Sequence, residues 1–312
     1  FYYPYAINNL SSLLILALPL VIFIAKFEPV YLKKIIWQSE SLTIISSLIG
    51  FGLLETILFI TIIARRTTDV MPSPWQAVGI EFFAAYFAAT GLLLYFVWRA
   101  KNTWLKYGLT VSHLFLTYSV AAIIYPLGFG FDGFIHRATE VLIQNNGFIT
   151  PKQPYYIGQY SLIVWLSNLT AIPIFYLDIY FVPLLSALTL PGVVSHSLTS
   201  LWSIPRRYAL ILFWFIPFIF FLSLHLTTPH NILILLMFIT VPAALLYLKN
   251  ELPSFIIIIL ALAAITIHPL LGAPLALFVA TIIVLNKIQS KTKISILILI
   301  LYFLFLCLLF PA

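Results

Sequence analysis

Asp132, His136, Arg137 and Glu140 lie within nine residues of one another and are the densest group of reactive side chains in the chain. Asp132, His136 and Glu140 follow at intervals of four, a spacing that lines side chains along one side of a helix. A carboxylate at the head of such a helix can serve as a general base or metal ligand, or more simply as an N-cap accepting a backbone N–H. Arg137 is always charged and can offer two parallel hydrogen bonds, which suits a phosphate. His136 can share that role, or both can anchor the helix at a membrane interface. Glu140 is either a solvated helix residue or the partner of Arg137. Lys152 lies a little further along the same polar stretch, which runs from Phe129 to Tyr160.

The local sequence predicts how these groups are positioned. Gly128, Gly130 and Gly133 bracket Asp132 and allow a tight turn before a helix over about 133–145. Phe134, Ile135, Ala138, Val141 and Leu142 form its apolar side, and Asn145-Asn146-Gly147 is a helix stop signal. Such a helix is expected along a membrane surface, its charged stripe facing water or a substrate cleft. Beyond it, Pro151 and Pro154 keep the chain extended toward Tyr155 and Tyr156. These two tyrosines suit a membrane interface, and equally a stacking surface for a sugar ring or a polyprenyl head.

The rest of the chain is built for lipid. Of its 312 residues 62% are hydrophobic and only 8% charged, with a mean hydropathy of +1.10. Soluble domains carry about 25% charged residues. Continuous apolar runs, rather than short alternating ones, exclude an outer-membrane barrel. The fold class expected is all-α: a polytopic transmembrane helical bundle of about ten spans, with an amphipathic interfacial helix in a large outer loop. The spans fall at about 10–25, 42–64, 78–98, 107–127, 177–201, 208–226, 231–248, 253–267, 270–286 and 294–311. The net charge of +7 sits at helix ends, which argues for topology and contact with membrane lipid, not nucleic acid. Cys307, the single cysteine, excludes an intrachain disulfide. The start at Phe1 and the stop at Pro311-Ala312 predict a chain truncated at both ends.

Charge decides the orientation. If the segment Tyr156–Pro173 stays at one face, 12 of the 16 Lys and Arg residues gather on one side, leaving Arg65, Arg66, Arg137 and Lys152 opposite. If it crosses, the split becomes 6 and 10. The positive-inside rule therefore predicts an interfacial or re-entrant helix and a multi-pass protein of the cell membrane. The Asp132 loop then faces away from the cytoplasm. Thr227-Thr228-Pro229-His230 and the His268-Pro269 turn fall on that same side. No internal repeat of broken helices appears, which weighs against an inverted-repeat transporter.

The order of these parts resembles the GT-C superfamily of integral-membrane glycosyltransferases, as a divergent prokaryotic member of the polyprenyl-phosphate-sugar-dependent type. Asp132 matches the acidic residue at a helix exit, and residues 133–145 match an amphipathic helix. Gly147-Phe148-Ile149-Thr150-Pro151 matches a "G-x-I-x-P" turn, and Pro154-Tyr155-Tyr156 a "P-P-x-Y" type segment. The resemblance covers roughly 107–312 as a GT-C-like core with outer loop 128–176, leaving 1–106 as three extra N-terminal transmembrane helices. It implies transfer of a sugar from a polyprenyl-phosphate-linked donor to an acceptor on the outer face. Asp132 would deprotonate the acceptor hydroxyl, with Arg137 and His136 on the lipid phosphate. His230 and His268 would add phosphate or hydroxyl contacts. Gly133 stands where many members carry a second acid, and no further outer acid follows Asp178. That departure favours metal-independent transfer over a divalent cation cofactor.

Other ionisable groups lie inside the spans. Glu55 is the clearest acid at mid-membrane depth, a functional candidate or the partner of another helix. His113 and His196 suit helix–helix hydrogen bonds. Asp178 opens a span near the outer face, within reach of the Asp132 region. Two other functions compete with sugar transfer. A transporter or flippase of lipid-linked sugars would need a polar path that this chain lacks apart from Glu55. A non-catalytic scaffold of envelope assembly would need only that Asp132 be a cap.

Overall fold

The computed structural model describes residues 41–148, 155–214 and 224–287, all of whose regular structure is helical. Helix α1 (Leu42–Ala64) contains a single charged residue, Glu55. Its 23 residues rise about 35 Å, enough for a hydrocarbon core of about 30 Å. A short 3-10 turn, Pro74–Gln76, leads to α2 (Ile80–Arg99). The Asn102 side chain then caps α3 (Thr103–Ile124) by accepting the Leu105 N–H. Helices α4 (Asp132–Asn146) and α5 (Ile157–Thr170) follow, then α6 (Ile174–Trp202) and the short α7 (Arg206–Phe213). Thr228 caps α8 (Pro229–Leu248), and α9 (Ser254–Ile267) and α10 (Pro269–Lys287) complete the described chain.

Six of these helices, α1, α2, α3, α6, α8 and α10, are long and apolar enough to cross a bilayer. They make the chain a multi-pass membrane bundle. The spans expected at 10–25 and 294–311 lie outside the described residues, as do Lys152 and most of the Gly147–Pro154 connection. The span expected at 208–226 is described only at its two ends, where α7 supplies 8 residues. At 253–267 stands α9, whose 14 residues rise only about 21 Å.

Burial gathers most of the described helices into two larger cores, with three smaller clusters beside them. Phe51 and Leu93 from α1 and α2 pack with Leu114, Leu190, Phe213 and Leu235 from α3, α6, α7 and α8. A second core joins Leu233 of α8 to Ile257 of α9 and Phe278 of α10. The first two described helices therefore share one interior with α3 and α6.

One end of the bundle collects the C-termini of α1, α3 and α9 with the N-termini of α2, α6, α8 and α10. There the Thr67 N–H donates to the Ile124 carbonyl at 2.9 Å, and Val182, Ile232 and Ile267 pack together. Helix α5 begins and finishes at this end. Near its start, Gly158 presses on α9 so closely that a Cβ would stand 2.6 Å from the Thr266 hydroxyl and 2.8 Å from the Ile267 nitrogen, so only glycine fits. After its last residue, a connection of three residues leads into α6. At the opposite end Trp98 meets Tyr208, ring centroids 5.1 Å apart. Lys249 there donates to the Ser200 and Leu201 carbonyls that close α6.

Candidate functional site at one end of the bundle

Helix α4 forms where the sequence places it and closes on Gly147 in the left-handed conformation (φ 78°). Its facing is the reverse of that of a soluble amphipathic helix. Phe131, Phe134, Ile135, Val141 and Leu142 are exposed, whereas Glu140 and Ile143 are buried. The polar stripe points into the protein and the apolar stripe points out.

The stripe itself is shifted by one turn from the expected one. Asp132 is exposed and makes no capping hydrogen bond through its side chain. His136 is half-buried, and Glu140 is fully buried. The face of Asp132 is not the reason: at about 100° per residue Thr139 and Ile143 each fall within about 20° of it around the axis, and both are buried. Asp132 is exposed because it heads the helix.

Ile143 packs against Tyr160, Ile163 and Val164 of α5, and His136, Glu140 and Gln144 are among the polar side chains that meet that helix. His136 Nδ1 lies 3.0 Å from the Tyr160 hydroxyl. Gln159 Nε2 donates to Glu140 Oε1 at 3.0 Å. Gln144 Nε2 donates to the Ser167 hydroxyl at 3.1 Å and to Asn168 Oδ1 at 3.3 Å. The polar residues that interrupt the apolar segment 156–173 are therefore the rungs joining it to α4. Burial raises the Tyr160 hydroxyl above its ordinary range, which keeps it a neutral hydrogen-bonding group.

Arg137 turns the other way, toward α6. Its Nε donates to Asp178 Oδ2 at 2.9 Å, and Nη1 donates to the Leu127 carbonyl at 3.1 Å. Phe134 and Phe175 flank the guanidinium at 5.3 and 4.6 Å, a geometry in which ring faces attract a cation. Gly128, at φ 114°, gives the group its room: a Cβ there would stand 2.9 Å from Nη2. A small cavity adjoins the pair, lined in part by Gly128, Gly133, Arg137, Asp178 and Thr227. It has space for about one water molecule.

Three acceptor oxygens in this region have no hydrogen-bond partner among the described residues: Asp178 Oδ1, Glu140 Oε2 and Gln159 Oε1. Burial, followed by the nearby Asp178 carboxylate, pushes the Glu140 carboxyl well above the usual carboxylate range, against the opposing pull of Gln159 and Arg137.

An aromatic row continues from His136. Tyr156, itself at a strained φ of 64°, meets the His136 ring at 5.4 Å and the His268 ring at 5.2 Å. His230 stands 6.0 Å from His268. Burial, and then His230, hold the His268 imidazole below its ordinary range, favouring the neutral form. Tyr155 is exposed beside Tyr156, ring centroids 6.4 Å apart. The structure thus brings together His136, Arg137, Glu140, Tyr156, His230 and His268. Asp132 stays exposed at the head of α4. Gln159 and Tyr160 did not stand out in the sequence; the signal for them was a pair of polar residues inside an otherwise apolar helix. Among the described residues, no group of three or more His, Cys, Asp or Glu is arranged to hold a metal ion.

A second buried network lies at mid-depth. Glu55 Oε2 meets His113 Nδ1 at 2.8 Å, and His113 Nε2 meets the Thr90 hydroxyl at 2.9 Å. Tyr86 stacks on the imidazole at 4.8 Å, and Trp214 approaches it at 5.3 Å. The acid expected at the membrane centre is therefore joined to the third helix and closed in by rings.

Comparison of the chain with family models, with curated proteins and with solved structures found no match.

Proposed function

We propose that this chain is an integral-membrane glycosyltransferase of the GT-C type, moving a sugar from a polyprenyl-phosphate carrier to an acceptor on the non-cytoplasmic face. The observation that carries the reading is the gathering of Arg137, His136, Tyr156, His230 and His268 at one end of a lipid-embedded bundle, beside an exposed acid, Asp132. Asp132 is open to an incoming acceptor and acts as the general base. Arg137 reaches the loop just before that acid and supplies positive charge for the departing phosphate, with His136 beside it. The row from Tyr155 and Tyr156 to His268 and His230 offers ring faces and imidazole nitrogens to the sugar and phosphate, with Lys152 nearby in sequence.

Two further observations support this placement. Arg99, Lys101, Lys106, Arg206, Arg207, Lys249 and Lys287 lie toward the opposite end of the bundle, whereas Arg65, Arg66 and Arg137 lie at the site end. That asymmetry favours a non-cytoplasmic site. The exposed apolar stripe of α4 suits acyl chains, so a donor's lipid tail can remain in the bilayer while its phosphate reaches Arg137.

The test is transfer from radiolabelled polyprenyl-phosphate sugars in proteoliposomes, comparing the wild type with Asp132→Asn. Loss of a general base lowers turnover by about 100-fold or more; full transfer by the variant removes Asp132 from that role. A second reading, a non-catalytic scaffold of envelope assembly, is favoured by the water-sized cavity and by the engagement of Arg137 with Asp178. Absence of transfer by the wild type across a panel of donors and acceptors would select it.

A further inference from the structure

We infer that the buried Glu140–Asp178 pair is a proton-binding site, in which Glu140 holds one proton as a neutral acid and Asp178 is the carboxylate paired with Arg137. The inference rests on burial, charge balance and hydrogen bonding, and it stands apart from the proposed transferase activity. Glu140 is 0% exposed and Asp178 is 3% exposed. Arg137 commits its Nε to Asp178, while the hydrogen bond to Glu140 comes from the neutral amide of Gln159. Two buried carboxyl groups thus lie within electrostatic reach of one guanidinium, which hydrogen-bonds only Asp178. A second negative charge would be desolvated and would face a like charge, conditions under which the proton is retained.

Hydrogen-bond bookkeeping agrees. Glu140 Oε2 has no partner among the described residues, and leaving a buried oxygen unpartnered costs far more when it is charged than when it is neutral. The ionisable groups around Glu140 are Asp132, His136 and Arg137 on α4, and Tyr156 and Tyr160 on α5. On α6 they are Tyr176 and Asp178, and His268 lies beyond Tyr156 at the end of α9. His136 lies against the Tyr160 hydroxyl through Nδ1, so the direct cation in the pair remains Arg137.

The consequence is a latch sensitive to pH. With the proton present, α4 and α5 close over an uncharged contact. Its loss places an unpaired charge between them and loosens the rungs. The sign follows from linkage: a carboxyl held more protonated in the folded state stabilises the fold at acidic pH, and that stability is lost as pH rises through the folded-state value.

The experiment uses the full chain in lipid nanodiscs. Infrared spectroscopy at neutral pH should show the carbonyl stretch of a protonated carboxylic acid, and Glu140→Gln should abolish it. The melting temperature of the wild type should fall as pH is raised from about 5 to about 8, whereas that of Glu140→Gln should stay flatter. A band that survives in Glu140→Gln, or identical pH slopes, overturns the inference. Sodium that raises the melting temperature of the wild type but not of Glu140→Gln, against choline at equal ionic strength, also overturns it by assigning a metal cation to the site. If Glu140→Gln does not fold, Asp178→Asn provides the second arm. Freed from Asp178, Arg137 can pair with Glu140, so the band should disappear at lower pH than in the wild type. A band with an unchanged pH dependence would sink the idea.

Discussion

Two buried acids occupy this bundle under opposite conditions. Glu55 sits at mid-depth, one oxygen on His113 and the other 3.5 Å from the Ser112 hydroxyl, with Thr90 beyond the imidazole. Glu140 sits near one end, with one oxygen on Gln159 and the other without a partner among the described residues. The first network is closed on itself by hydrogen bonds and by the rings of Phe51, Tyr86 and Trp214 around the imidazole. The second is open-ended and adjoins a cavity, the strained Tyr156 and a row of imidazoles. Depth in the membrane is therefore a poor guide to function here. The acid with spare hydrogen-bonding capacity, rather than the one furthest from water, lies at the end of the proposed site.

The sharpest way to break this contrast is at the closed network. His113→Leu should lower the unfolding free energy by roughly 3 kcal/mol, because it strands a buried acid. The double variant Glu55→Leu/His113→Leu should recover part of that loss, since both polar partners then leave together. Thermal unfolding in nanodiscs would show both, and a double variant less stable than either single one would mean that the pair is not a unit. Asp178→Asn comes next, at about 2 kcal/mol, the range for a hydrogen bond to a charged group. Unlike His113→Leu, it should also alter the pH dependence of stability, because it removes the charge that faces Glu140. The smallest effect is expected at Gln144→Ala. This exposed rung should change stability by less than about 1 kcal/mol and leave the pH slope intact. A larger loss would show that the whole α4–α5 contact is cooperative.

Some helix boundaries were legible in the sequence, although the span expected at 107–127 forms as Thr103–Ile124 and α7 ends at Phe213 within the one expected at 208–226. The apolar run at 42–64 is α1 to the residue, because continuous hydrophobicity bounded by Ser41 and Arg65 leaves few alternatives. The Asn145-Asn146-Gly147 stop also acts as the chemistry of a C-cap requires. Facing was less legible. A four-residue interval names neighbours, but it does not say which turn of the stripe meets a partner, and the stripe bonded to α5 proved to be His136, Glu140 and Gln144. Partners distant in sequence were less legible still. Glu55 and His113 are 58 residues apart, and Arg137 and Asp178 are 41 apart. Each residue could be singled out as costly in lipid, but pairing them required the crossing of particular helices. Gln159 and Tyr160 were obscured for another reason: they sit in a segment whose average character is apolar, and averaging hides the polar residues that help bind it to α4.

The outward-facing side of α4 has a consequence for handling the protein. On the proposed orientation the exposed Phe131, Phe134, Ile135, Val141 and Leu142 meet lipid, and the bilayer then serves this helix as a packing partner. Detergent that strips annular lipid would remove half of the helix's support while leaving its polar rungs in place. A purified sample can then keep its long helices and still lose the end where the reactive residues meet, so lipid composition becomes a variable of the site itself.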